Sequence, residues 1–440
     1  MNRLLPKLCI SLLGILGSWS LPALEAPPQT DELRFVVMMS RHGIRSPTWK
    51  PDQINEYSVA AWPDFRVPPG FLTPHGRNVM KLFGAYDRAY LAKAGLFSAT
   101  GCAGADHVYI WTDSDQRTIE TGRALAEGMF PDCSVEVRSL KEGEPDPLFR
   151  PVLVDLGHPN RRLALAALAG RIGGTPAALL RSYRPALETM RQILLGCNPD
   201  GPCPPEGRNA KKSFQELPAS LDTSVKDRLV ELQGPMATAS VLAQSFMLEY
   251  LEGMTGKDLG WGRLNVSNLQ DMMAVHIAYF DLVRRTPYIA RASGSNLLSH
   301  MLKAMEQSIT GKPVKGAVGK LGDRLAILVG HDTNQQNLAG MLRLSWLMEG
   351  YQRDDTPPGG ALVFELWRKA GTGDYSVRTY FMSQTMNQMR NTVPVTLESP
   401  PAISPVFVPG CSTESDGFAC SWDDFRRTIE AAIDPAFVKP

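Results

Sequence analysis

An excess of charge of one sign is the first thing this sequence lacks. Lys and Arg number 46 and Asp and Glu 45, giving a formal net charge of +1. A nucleic-acid coat or a polybasic membrane surface needs a large surplus of one sign, so neither fits. Any anion binding must come from local placement of charge. Long apolar runs are also missing: beyond the N-terminal segment, no eighteen consecutive residues are uninterruptedly apolar. The mature chain therefore reads as soluble, with no membrane partner. Metal and nucleotide signatures are absent too. There is no H-E-x-x-H, the cysteine spacings are too wide for C-x₂-C, and no G-x₄-G-K-[ST] loop occurs. Gly256-Lys257 and Gly319-Lys320 lack both the upstream glycine and the following Ser or Thr. Zinc and nucleotide-dependent phosphoryl transfer are thereby disfavoured. No repeat or low-complexity tract is present. With 43% hydrophobic and 21% charged residues over 440 positions, a sizeable core is possible and disorder is not expected. Length alone allows two or three domains.

What is present begins with an export signal. Arg3 and Lys7 precede a short, mostly apolar stretch over 8–21, and Ala23 and Ala26 offer cleavage sites. Residues 1–26 thus read as a signal peptide, and the mature protein as periplasmic or secreted. Removing Cys9 leaves six cysteines, an even number in an oxidising compartment. Spacing does not fix connectivity. Cys197 and Cys203 bracket one short loop, Cys411 and Cys420 bracket another, and Cys102 and Cys133 flank one strand and one helix.

The chain is organised around Arg41-His42-Gly43-Ile44-Arg45-Ser46-Pro47. It follows residues 33–39, an apolar run of strand length and composition. A histidine between two arginines thus sits where a buried strand breaks into a loop, the usual place for chemistry in an α/β sheet. Unpaired arginines in a cleft are costly to desolvate, and planar bidentate donors suit phosphate oxygens. With each residue type at about 5% of composition, chance would give R-H-G-x-R-x-P in roughly one sequence of this length in ten thousand.

Two further strands end in the same manner. Residues 108–112 run into Asp113-Ser114-Asp115-Gln116-Arg117 and then a helix through Phe130. In a parallel sheet such junctions share the carboxyl edge, which brings Arg117 near His42; Arg117 could equally be a surface arginine paired with Asp113 or Glu120. Residues 324–329 end at Gly330-His331-Asp332, followed by a helix over 333–342 whose N-terminus favours an anion. Strands are also expected at 362–367 and 375–381. Thr73-Pro74 reads as an N-cap and first helical residue, with His75 a surface or capping residue. From 156 to 287 strand-like runs vanish, and Ala-, Leu- and Arg-rich segments at helical spacing predict a mostly helical insert. Within it, His276 reads as a packed histidine and Met247, Met272 and Met273 as core. A further helix is expected over 297–309, and the proline-rich tail 394–409 should lie over the surface.

R-H-G-I-R-S-P resembles the signature of the histidine acid phosphatases, the clade-two branch of the histidine phosphatase superfamily. The likeness extends to Gly330-His331-Asp332-Thr333-Asn334, Asp115-Gln116-Arg117-Thr118, Gly260-Trp261-Gly262-Arg263 and Asp355-Thr356-Pro357-Pro358-Gly359-Gly360, nearly the whole mature chain. It is similar above all to the periplasmic bacterial phytases and glucose-1-phosphatases. The resemblance implies an α/β fold: a mostly parallel sheet flanked by helices, formed by 27–155 and 288–440, with the helical insert domain at 156–287. It implies that His42 is the transiently phosphorylated nucleophile and Asp332 the proton donor. Arg41, Arg45, Arg117 and His331 would hold the phosphate. Pairings Cys102–Cys133, Cys197–Cys203 and Cys411–Cys420 match the related phytases, whose fourth bridge is absent. No cofactor or metal is implied, and a monomer acting on a small phosphomonoester is expected.

Substrate choice turns on a departure from that pattern. In the phytases a Thr-Lys pair follows the signature and contacts outer phosphates. Here Thr48 matches, but Trp49 stands at the lysine position, with Lys50 one residue later. Thr333 matches the phytases' distal threonine. Phytate and sugar phosphates such as glucose 1-phosphate are the leading substrates. The alternatives are a non-catalytic periplasmic phosphate-ligand receptor and a phosphomutase. A receptor has no use for His42 and Asp332 together, and the export signal disfavours a mutase.

Overall fold

The computed structural model describes residues 31–197 and 211–439. The expected signal segment, Cys9 and Cys203 lie outside these residues. The strands among the described residues are β1 (Glu32–Arg41), β2 (Val108–Thr112), β3 (Val137–Ser139), β4 (Ser220–Asp222), β5 (Glu231–Gln233), β6 (Leu325–Gly330), β7 (Ala361–Arg368), β8 (Tyr375–Ser383), β9 (Ala402–Pro405) and β10 (Cys420–Ser421). The main sheet has the order β10-β8-β7-β1-β6-β2-β3, with β9 also paired to β8. It is mixed. β1, β6, β2 and β3 pair in parallel, whereas β7 joins β1 antiparallel and β8, β9 and β10 continue in that sense. The antiparallel half is larger than the sequence suggested: a short turn joins β7 to β8, and the longer segment 384–401, with the short helix Met386–Arg390, returns the chain as β9 antiparallel to β8.

Alternation along β1 explains why helices cover both faces. Val36 and Met38 join Met80, Phe83, Leu125 and Met129 on one side; Phe35, Val37 and Met39 join Leu298, Met301, Leu338 and Leu342 on the other. The first side carries helices Pro74–Lys93 and Gln116–Met129, and the second carries helices Pro287–Thr310, Asp332–Leu342 and Trp422–Ala432. A register shift between Leu33 and Phe35 changes which parity faces which layer, so Leu33 lies with Val36 and Met38.

The caps follow the sequence. Thr73 accepts from the Gly76 N–H at 2.9 Å ahead of Pro74. Next to it, His75 is neither a cap nor a bare surface residue: Nε2 lies 3.0 Å from the Leu251 carbonyl and 2.8 Å from that of Met389, so it ties three segments together. The 156–287 segment is mainly helical, with helices Arg161–Ile172, Arg184–Leu195, Pro235–Leu251 and Val266–Arg285. It also holds the β4–β5 hairpin, too short to show as a strand-like run. Its apolar residues Leu242, Phe246, Leu269 and Met272 belong to the same cluster as Phe35 and Val37. The segment is thus welded to one face of the sheet. Helix Pro287–Thr310 begins ten residues before the expected 297, because Thr286-Pro287 supplies a start that apolar spacing does not reveal.

Cys102–Cys133 and Cys411–Cys420 are disulfides. Cys197 is disulfide-bonded as well; the expected partner, Cys203, falls outside the described residues. These bonds fit an extracytoplasmic protein.

Candidate active site

Three neighbouring strands end together, and their ends build the site. In the sheet register Arg41 lies opposite Gly330, and Thr112 opposite Val329. The ladder runs one step past each strand: His42 N–H donates to the Gly330 carbonyl at 3.0 Å, and Asp113 N–H to that of Val329 at 2.8 Å. His42 and Asp113 are therefore placed by backbone pairing rather than by loop conformation, and His331 follows directly on Gly330 with its N–H donated to Asn334 Oδ1 at 2.9 Å. The imidazole rings of His42 and His331 lie 5.6 Å apart, edge to face.

The loop after β1 is clamped from three directions. Gly43 N–H donates to Thr121 Oγ1 at 2.9 Å, Thr73 N–H to the Ile44 carbonyl, and Gly359 N–H to the His42 carbonyl at 2.9 Å. A Cβ at Gly43 would stand 2.7 Å from Met80 Cγ and 3.3 Å from the Gly76 carbonyl oxygen. Only glycine lets the loop press this closely onto helix Pro74–Lys93.

His42 is buried, and its Nδ1 sits 2.8 Å from the Gly43 carbonyl oxygen. A carbonyl can only accept, so Nδ1 carries the proton and the neutral ring keeps its lone pair on Nε2. Burial first, then the charges of Arg117, Arg41 and Arg45, hold the imidazole pKa well below its usual value. His42 is thus a neutral imidazole with a free nitrogen amid cations.

Those cations are differently held. Arg41 donates through Nη1 to the Thr356 carbonyl, and its Nη2 lies 2.9 Å from Asp332 Oδ2. Arg45 donates to the Ser46 carbonyl and to Gln244 Oε1, and Arg117 pairs with Asp115 at 2.5 Å. The Nε groups of Arg41, Arg45 and Arg117 are buried with no acceptor among the described residues. Burial and the other two arginines lower the Arg45 pKa to about 9. Orphaned donors on three converging guanidinium groups form a cradle for an oxyanion.

His331 caps helix Asp332–Leu342, and its Nε2 lies 2.6 Å from Asp113 Oδ2. Burial lowers its pKa, with the Asp113 bond opposing. Burial alone would raise Asp113, but the His331 bond and the Arg150 charge hold it at about 2. Asp332 accepts the Thr333 N–H through Oδ1 at 2.7 Å. Burial would raise its pKa too; Arg41, His276 and His331 overcome that and hold it below the usual carboxylate range. With no ligand bound, Asp332 is therefore ionised.

These groups open on a cavity of about 610 Å³. Its lining includes His42, Arg45, Arg117, His331, Asp332 and Thr333. Arg41 lies just behind, reaching Asp332. Thr48 and Trp49 line it as well, with Trp49 stacked on Tyr57 at 5.8 Å. Lys50 does not line it. It is exposed and serves as N-cap of the short helix Pro51–Ile54, where its N–H bonds Gln53 Oε1. The chain turns between Trp49 and Lys50, so the aromatic side chain takes the inward position.

Sequence reasoning missed Asp113 as the partner of His331, and it missed Arg150 and Gln244 entirely. Arg150 ties Asp113 to Asp115: Nε to Asp113 Oδ2 is 2.7 Å, and Nη2 bonds Asp115. It comes from an irregular stretch with no periodic signal. Gln244, on helix Pro235–Leu251, accepts from Arg45 at 2.5 Å and points its amide at Asp332 Oδ2 at 3.5 Å. His276 is buried as expected, bonded to Ser240 Oγ at 2.8 Å, yet it also borders the cavity. Asp113, Asp115 and His331 lie close enough together to hold a cation. Arg150 and Arg117 already neutralise the two carboxylates, which makes the cluster a poor metal site.

Comparison with known proteins agrees with this geometry. The family model for the histidine phosphatase superfamily (branch 2) matches residues 32–164 and 235–382. The chain is 33% identical to phytase AppA of Escherichia coli (strain K12), over 92% of this chain and 93% of that one. It is 28% identical to a glucose-1-phosphatase of Salmonella typhimurium, over 97% and 98% of the two chains. The solved structure of Hafnia alvei phytase in complex with tartrate superposes with a TM-score of 0.84 at 32% identity, covering 94% of this chain and all of that one. A strand-end histidine among arginines, in a chain matched along nearly its whole length, leaves one assignment: the protein belongs to branch 2 of the histidine phosphatase superfamily and is a histidine acid phosphatase.

Proposed function

We propose that this enzyme acts in the periplasm or outside the cell on phosphomonoesters, with phytate and sugar phosphates such as glucose 1-phosphate as its substrates, through a phosphohistidine on His42. The observation that carries this reading is the fixed tautomer of His42, whose Nδ1–H is spent on the Gly43 carbonyl. Nε2 then attacks phosphorus in line while Arg41, Arg45 and Arg117 take up charge on the equatorial oxygens. His331, once protonated, adds a fourth donor. The ester oxygen leaves with a proton from Asp332. In the second step Asp332 takes a proton from water as the water oxygen attacks phosphorus and the phosphorus–nitrogen bond breaks, freeing phosphate and restoring His42. Bound phosphate supplies the proton-holding influence that Asp332 lacks when the site is empty: its negative charge faces Arg41 and raises the carboxyl pKa. A binding-only cradle would need the arginines but neither a neutral buried imidazole nor a nearby acid.

The relatives support the substrate choice by name, two as glucose-1-phosphatases and others as phytases. Trp49 in the cavity wall favours a ring-shaped polyol that can lie against it. We further assign 27–155 and 288–440 to the α/β body and 156–287 to an insert that walls the cleft. The decisive experiment measures phosphate release from phytate and glucose 1-phosphate side by side, at mildly acidic pH with chelator present. Release from at least one is expected, with an acid-labile, base-stable phosphoenzyme trapped by quenching. A turnover that leaves no phosphoenzyme would remove the histidine intermediate, and release from neither substrate would remove the substrate assignment.

A further inference from the structure

The cavity that holds the cradle is also lined by charged residues that the cradle does not use. Here its wall is formed by the insert, with Arg228 just before β5, Glu231 in β5, and Tyr279 and Arg284 on helix Val266–Arg285. Asp227 lines this wall too, so the charges are equal in number but unevenly paired. Glu231 accepts the Tyr279 hydroxyl at 2.6 Å and a guanidinium hydrogen bond from Arg228, so its two oxygens are taken. Asp227 lies 3.7 Å from Arg228 Nε. Arg284 has neither an ion pair nor a side-chain hydrogen bond among the described residues. Its Nε is buried without an acceptor, and its guanidinium sits 6.0 Å from the Phe280 ring. Burial, and next the Arg228 charge, push its pKa down.

A half-buried guanidinium cannot escape by losing its proton, and leaving it unpaired is costly. The two carboxylates of this wall, Asp227 and Glu231, both pair with Arg228, Glu231 also accepting from Tyr279, and neither pairs with Arg284. An anion entering from the cavity would. We infer that Arg284, flanked by Arg228, forms a second anion subsite that takes a distal phosphate of a polyphosphorylated substrate while another phosphate lies in the cradle. This rests on the substrate class proposed above and narrows it: one cavity with an arginine cradle and a further unpaired guanidinium in its wall suits a ligand carrying several phosphates on a compact ring. A monophosphate in the cradle leaves Arg284 unpaired.

The test compares wild type with Arg284→Gln and Arg284→Lys, using inositol hexakissulfate and inorganic phosphate as probes in calorimetry. The expected result is a Kd for the hexakissulfate at least tenfold weaker in Arg284→Gln and partly restored in Arg284→Lys. Inorganic phosphate should bind all three within twofold. In turnover, KM for phytate should rise by a similar factor with kcat nearly unchanged, while p-nitrophenyl phosphate kinetics stay the same. Hexakissulfate binding that ignores the substitution would overturn the subsite. Equal losses for both probes would overturn it too, because they would mean a damaged cavity. The two readings fail separately. A wild type that binds hexakissulfate through Arg284 but hydrolyses no monoester keeps the subsite and loses the activity. One that hydrolyses phytate with an indifferent Arg284 does the reverse.

Discussion

On the sheet side of the cleft, the charged groups leave the ends of β1, β2 and β6, where backbone hydrogen bonds fix His42 and Asp113 and the Asn334 side chain holds the His331 N–H. On the insert side, Gln244, His276 and Arg284 project from helices Pro235–Leu251 and Val266–Arg285. The sheet side is stiff and redundantly held: Asp113 alone receives His331 and Arg150. The insert side is held by fewer bonds and leaves one guanidinium unpaired. A phosphoryl transition state needs donors at fixed positions, which strand ends provide. Recognising the rest of a substrate needs only a shaped wall, which helices can vary without disturbing the sheet.

If that division is right, damage on the sheet side should fall on kcat for every substrate. His42→Ala is the largest case. Loss of the nucleophile should lower kcat by roughly 10⁴ or more on all esters, and phosphate should still bind. Comparable turnover in the variant would sink the assignment. Asp332→Asn follows. Removing the proton donor should cost roughly 10²–10⁴ in kcat for alkyl phosphates and much less for p-nitrophenyl phosphate, whose leaving group needs no proton. Equal losses on the two esters would argue that Asp332 acts through Arg41 alone.

Asp113→Asn should have a smaller effect. Losing one charged hydrogen bond of about 1.5–3 kcal/mol predicts a decrease of roughly 10- to 100-fold. Its signature lies in the pH profile. Asp113 is ionised above about pH 2 and raises the pKa of His331, against the lowering by burial. Without it His331 loses its proton at lower pH, so the alkaline limb of the activity profile should move toward acid. A drop in rate with an unmoved limb would show that His331 does not act as a cation.

The same contrast accounts for what could be read in advance. His42, Arg41, Arg45, His331 and Asp332 were legible because each follows an apolar run whose length identifies a strand, and strand ends converge in a parallel sheet. Arg117 was legible for the same reason, one helix turn further on. Arg150 was not, since it lies in an irregular segment with no period. Gln244 and Arg284 were hidden differently: Gln244 is a lone amide in helix Pro235–Leu251, which is apolar and buried nearly all round, and Arg284 reads as an ordinary cation in the last turn of its helix. Trp49 was seen as a departure, but only the structure places its ring in the wall and turns Lys50 away. The antiparallel half of the sheet was undervalued because strand direction is a property of pairing, not of composition.

The last effect, a shift of a few degrees in melting, separates the two sides by stability rather than by rate. Glu249, on helix Pro235–Leu251, is buried, with one oxygen accepting the Gly260 N–H at 2.8 Å and the other without a partner among the described residues. Burial pushes its pKa up to about 8 from 4.5, so the folded protein holds a proton that the unfolded chain releases. Below pH 4.5 both states are protonated and nothing is lost. As pH rises from 4.5 to 8 the unfolded state is increasingly favoured, by on the order of 3 kcal/mol at pH 7. Asp113 has the opposite sign: its pKa is depressed, so its contribution is present above about pH 4 and lost as pH falls toward 2. Glu249→Gln keeps an acceptor for Gly260 and cannot ionise. The variant should melt a few degrees higher than wild type at pH 8 and at nearly the same temperature at pH 4.5. A stability gain equal at both pH values would mean that packing, not the proton, limits the insert. A gain that grows with pH would show that the two sides of the cleft lose stability at opposite ends of the pH scale, leaving mildly acidic solution as the range in which both hold.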